Sequence, residues 1–133
     1  MRFQRTWLYG EASELFALQL EVVWGRADYQ TPWRVGESWE GAAHFYPSVL
    51  PQRALFSQLR QVDKVFLPKG VADFTALQET YTSARSQQPW LHFFPCVFTQ
   101  IYIVRKENDF FWLDNQQQQL VAIANTDMQL WQL

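Results

Sequence analysis

Hydrophobic and polar positions alternate strictly from Phe16 to Trp24. Phe16, Leu18, Leu20, Val22 and Trp24 fall on one side of an extended chain, and Gln19 and Glu21 on the other. That period of two predicts a half-buried strand, and with residues 5–9 and a turn over 10–13 it predicts a hairpin. Ala, Glu and Leu also favour a helix from Ser13, but Val22, Val23 and Trp24 ahead of Gly25 suit a strand better. Gly25, Pro32 and Gly36 make 25–37 a loop. Residues 38–46 read as the next strand, closed by Pro47. Pro51 suits the first turn of a short helix over 52–60 with Leu55, Phe56 and Leu59 inward. A short edge strand over 61–67 follows, ended by Pro68, Lys69 and Gly70.

The clearest helix lies at 71–87. Asp73 is placed to cap it, and Phe74, Leu77, Tyr81 and Ala84 recur three to four residues apart on one face. Pro89 stops it. Beyond, 97–105, 110–113, 120–124 and 128–133 alternate again, with turns at 106–109 and 114–119, as in an antiparallel meander. The glutamines Gln116 to Gln119 read as a solvated turn. The expected architecture is α+β: a single domain over 1–133, an antiparallel sheet with the helix 71–87 packed against it.

Composition narrows the function classes. Of 133 residues 48% are hydrophobic and 17% aromatic, with 11 Phe, 7 Trp and 5 Tyr, so the chain can bury enough surface to exclude intrinsic disorder. Eleven basic against thirteen acidic residues leave a net charge of −2, without the positive field that draws proteins to nucleic acid. The one basic cluster, Arg53, Arg60, Lys64 and Lys69, is interleaved with Phe56 and Phe66, a mixture that single-strand binders use. Four charges spread this widely fit a solvated face better, so nucleic-acid binding by this domain is not expected. No apolar run approaches the roughly 18 residues of a membrane span, and His92 and Pro95 interrupt the longest candidate, 90–98. Glu11 and Glu14 fall where a signal peptide needs apolar residues. A soluble, cytoplasmic chain is expected.

Candidate chemistry is sparse. The single cysteine, Cys96, excludes an internal disulfide and cannot supply a structural zinc site. His92 is its nearest base in sequence, but Cys96 stands among Phe93, Phe94, Val97 and Phe98, where a free cysteine behaves as a small hydrophobe. His44, between Ala43 and Phe45, reads as a hydrogen-bonded structural histidine. Asp109 and Asp114 read as turn residues rather than metal ligands. The five glycines form no phosphate-binding loop, and neither metal nor cofactor is expected. Tryptophan and arginine around the 25–37 loop are more telling. Trp33, Arg34, Trp39 and Arg53 are residue types that anchor interfaces, and they are the candidate binding residues. A plug over a sheet edge explains Trp33 equally well.

Several segments together resemble a known family. The run Arg5-Thr6-Trp7-Leu8-Tyr9-Gly10-Glu11 comes first, then Phe45-Tyr46-Pro47-Ser48 with Pro51-Gln52-Arg53-Ala54-Leu55, then Pro89-Trp90-Leu91 leading to Phe94-Pro95. These resemble the region downstream of the zinc motif in bacterial SWIM zinc finger proteins. Phe111-Trp112-Leu113-Asp114 and Leu130-Trp131-Gln132-Leu133 are similar to the family's C-terminal meander. The family's CxCx(n)CxH motif has no counterpart, since Val97 and Phe98 follow Cys96, so no metal ligand carries over. Members are regarded as DNA-binding or protein-interaction proteins through the zinc module. The resemblance therefore implies a companion domain, cut from a longer protein or encoded as a short relative. Its role would be non-catalytic interaction or scaffolding with a protein partner. An aromatic pocket for a small molecule or nucleic acid is the alternative.

Overall fold

In a computed structural model of the chain, residues 1–31, 33–50, 52–107, 109–114 and 116 are described. The elements run β1 (Arg2–Tyr9), β2 (Phe16–Val23), β3 (Ser38–Phe45), β4 (Ala54–Val62), α1 (Phe74–Gln87), β5 (Tyr102–Lys106) and β6 (Asp109–Leu113). β1 with β2, β3 with β4 and β5 with β6 pair antiparallel, so the fold is α+β and mostly β. The chain divides into two compact units: Met1–Pro68 with Ala84–Pro95, and Lys69–Ser83 with Cys96–Leu133.

In the first unit the expected hairpin forms in unbroken register from Arg2 opposite Val23 to Tyr9 opposite Phe16. Its turn closes through the Gly10 amide on the Leu15 carbonyl at 2.9 Å. Leu18 and Ala17, on opposite faces, are both buried, so this strand is covered on two sides. Full burial of a side chain such as Leu18 contributes about 2 kcal/mol.

The helix expected over 52–60 is a strand instead. Two distant backbone donors decide this: the Leu18 amide reaches the Gln52 carbonyl at 2.6 Å and the Tyr46 amide the Arg53 carbonyl at 2.9 Å. They hold the segment extended and put Arg53 in a parallel bridge with Leu18. Tertiary pairing thereby overrides a weak helical spacing. The edge strand expected over 61–67 is likewise corrected: Gln61 and Val62 complete β4, and 63–67 is irregular.

The β3–β4 ladder shifts register between Glu40 and Ala42, and Gln58 takes φ 55°. Gly41 is required there. A Cβ on it would lie 2.8 Å from Leu59 Cδ2 and 2.9 Å from the Ser57 carbonyl oxygen. The bulge resets the alternation, which is why the 54–62 run lacks a clean period of two.

In the second unit, Val71 forms a parallel bridge with Phe98, its amide on the Val97 carbonyl at 2.8 Å and its carbonyl taking the Thr99 amide at 3.0 Å. Val71 is thus extended, and the helix begins at Phe74 rather than at 71. Asp73 caps it as expected, Oδ1 accepting the Ala76 amide at 2.8 Å. Phe74 is buried edge-to-face on Phe98, with ring centroids 5.1 Å apart. The strand expected over 97–105 is shorter, confined to Tyr102–Lys106. It pairs with β6 across a turn in which Glu107 adopts φ 58°. The expected strands at 120–124 and 128–133, and most of the glutamine turn, lie outside the described residues.

Candidate interaction surface

The β2–β3 loop is held on β2 by the two polar residues that the alternation places opposite Leu18 and Leu20. Glu21 Oε1 accepts the Gln30 amide at 2.5 Å, and Oε2 accepts the Thr31 hydroxyl at 2.5 Å and the Thr31 amide at 3.3 Å. The Thr31 hydroxyl first, then the Gln30 amide, hold the Glu21 carboxyl below its ordinary value, with slight desolvation working against them. Gln19 Oε1 accepts the Trp33 indole N–H at 2.7 Å.

Trp33 then meets Trp39 and Phe56 edge-to-face, with centroids 5.6 and 5.5 Å away. Both Trp33 and Trp39 are half-buried, whereas Arg34 is exposed. Register explains the grouping. Ala43 faces Phe56 and Phe45 faces Ala54, so Trp39, Phe56 and Ala54 share one side of the β3–β4 ladder. Arg53 precedes Ala54 and is in register with Leu18, which places it on the other side. The structure brings Trp33 and Trp39 together and separates them from Arg53.

That other side buries Leu18 at its centre but leaves apolar groups exposed at its margins. Phe3 faces Val22, and Arg5 faces Leu20, on the side shared with Leu18. Phe3 is 49% exposed, Leu55 is 56% exposed, and Trp24, just beyond β2, is 72% exposed. Two arginines are set over exposed rings here: Arg5 over Phe93 at 4.8 Å from the centroid, and Arg53 over Tyr46 at 5.2 Å. The side chain of Gln52 donates to the Phe93 carbonyl at 3.1 Å and so fixes the segment that carries that ring. Sequence reasoning missed Arg5, Tyr46 and Phe93. No local spacing signals a pairing between positions so distant in the chain.

The basic cluster read from the sequence is not a patch within the first unit. Arg60 pairs with Glu40, and Lys64 Nζ sits 2.8 and 2.6 Å from the two carboxylate oxygens of Glu11. Lys69 belongs to the second unit. His44 Nε2 lies 2.9 Å from Ser57 Oγ, with both residues exposed. A nucleophilic serine needs a carboxylate to orient its imidazole, and among the described residues none is bonded to His44.

Cys96 is half-buried and burial pushes its thiol up from the ordinary value, the opposite of an activated nucleophile. Among the described residues no three His, Cys, Asp or Glu side chains gather to hold a metal, and no helix is long and apolar enough to cross a membrane. An open cleft of about 430 Å³ lies in the first unit at the end of β3–β4, lined by Gly36, Ser38, Gln61, Asp63 and neighbouring residues, and no aromatic ring lines it. Set beside protein-family models, curated proteins and solved structures, the chain matches none of them.

Proposed function

We propose that this chain is a non-catalytic interaction module that binds a protein partner through the open face of its first unit. The carrying observation is the exposure of Phe3 and Leu55 on the side that also bears two arginines set over rings, with Trp24 exposed just beyond the end of β2. Exposed aromatics grouped with arginine are the composition of interface anchors. The resemblance of 5–11, 45–48, 51–55 and 89–95 to the companion region of SWIM zinc finger proteins supports the same role, in a cytoplasmic protein. An aromatic stacking pocket is less favoured, because the rings of Trp33, Trp39 and Phe56 fill one another's faces and edges.

Selection from a displayed peptide library against the full chain tests the proposal. Enriched peptides should lose binding to Trp24→Ser and to Phe3→Ser, while the urea midpoints of both variants stay near wild type. No enrichment, or enrichment indifferent to both substitutions, overturns the proposal.

A further inference from the structure

Resting on that interaction face, we infer that the partner segment is acidic and that Arg5 and Arg53 take two of its carboxylates. A guanidinium drawn over an aromatic ring by the cation–π attraction spends no N–H donor on a hydrogen-bond acceptor there. Those donors form the fork that matches a carboxylate. Among the described residues the ion pairs are Arg60 with Glu40 and Lys64 with Glu11, so neither Arg5 nor Arg53 has a carboxylate partner. Arg2 provides the contrast. It also lies over a ring, Tyr29, but its Nη2 is already committed to the Ala27 carbonyl.

Arg5 and Arg53 point to the same side, because Arg5 faces Leu20, two residues along from Leu18, and Arg53 is in register with Leu18. They are separated by two strand spacings across and two residues along, about 12 Å between Cα atoms. An extended peptide rises about 3.3 Å per residue, so carboxylates about four positions apart fit both. The exposed Phe3 and Leu55 on that side offer apolar contacts. A polyanion such as single-stranded nucleic acid is the poorer fit: the net charge is −2 and the other basic residues of β4 and its flank are already paired.

The test uses the full chain and fluorescence anisotropy with a labelled extended peptide carrying two glutamates four positions apart among leucines and valines. The same peptide with glutamines and a thymidine oligonucleotide serve as competitors. The glutamate peptide should bind at least tenfold tighter than its glutamine twin. Arg5→Gln and Arg53→Gln should each weaken it five- to tenfold, and Arg2→Gln should leave it unchanged. Circular dichroism confirms that each variant is folded. Equal binding of the two peptides, equal loss on Arg2→Gln, or tighter oligonucleotide binding overturns the inference. If neutral peptides bind and lose affinity on Trp24→Ser, the interaction face stands and only the acidic partner falls. If no peptide binds, both fall.

Discussion

The indole N–H of Trp33 is bonded to Gln19 at 2.7 Å, while that of Trp39, the ring it rests on, is buried with no acceptor among the described residues. An unpaired buried donor costs about 1 to 3 kcal/mol, and a made bond contributes about 1. Trp33→Phe should therefore lower stability by about 1 to 2 kcal/mol, and Trp39→Phe by less, despite the similar loss of ring area. Urea midpoints of the two variants decide it, and the reverse order would refute the assignment.

Glu21 makes the loop clasp sensitive to acid. Its carboxyl is held below the ordinary 4.5 by the Thr31 hydroxyl and the Gln30 amide. The stability it contributes is thus fully present above the unfolded value and is lost as pH falls through the lowered folded value. Wild type should lose stability over that window, and Glu21→Gln should lose less. Parallel acid limbs in a pH series of urea midpoints would remove Glu21 from this role.

Asp114 serves the helix from a distant turn. It is fully buried, with Oδ2 accepting the Phe74 amide at 3.0 Å and Oδ1 the Gln116 amide at 2.9 Å. Asp114→Ala leaves both donors without that partner and should cost about 2 kcal/mol or more. Asp73→Ala, losing the half-buried cap on the Ala76 amide, should cost about 1 kcal/mol. Helical signal at 222 nm during denaturation separates them, and a silent Asp114→Ala would contradict the geometry.

Burial raises the Cys96 thiol above 9.0. Iodoacetamide at mildly alkaline pH should accordingly modify Cys96 more slowly than a free thiol, and urea should abolish the difference. Fast alkylation of the folded chain would mean that the sulfur is more open than its packing indicates.

The first hairpin, the 38–45 strand and the capped helix were legible because each carries its own signal: alternation at 16–24, a β-rich run before Pro47, and Asp73 ahead of a 3.6-residue stripe. β4 was not legible. Its Leu55, Phe56 and Leu59 mimic a helix face, and what straightens it, the amides of Leu18 and Tyr46, lies elsewhere in the chain. The alternation predicts the side of the strand that Gln19 and Glu21 occupy, but nothing local says that a polar face will hold a loop rather than meet water. Trp33 and Trp39 were legible as neighbours of one loop. The separation of Arg53 from them follows from its register with Leu18, which sequence does not reveal.

The two hairpins of the first unit meet through the Leu18–Arg53 rung, and that joint has a kinetic meaning. Each hairpin closes between sequence neighbours and needs no help from the other, whereas the rung must wait for the chain between β2 and β4 to fold back. The Leu18 amide, donating across the joint, is therefore the hydrogen whose exchange with deuterium reports the hairpins parting without unravelling. An occupant gripping Arg5 on one hairpin and Arg53 on the other would bridge that seam like a splint, so its binding should slow the exchange of Leu18 more than that of amides within either ladder.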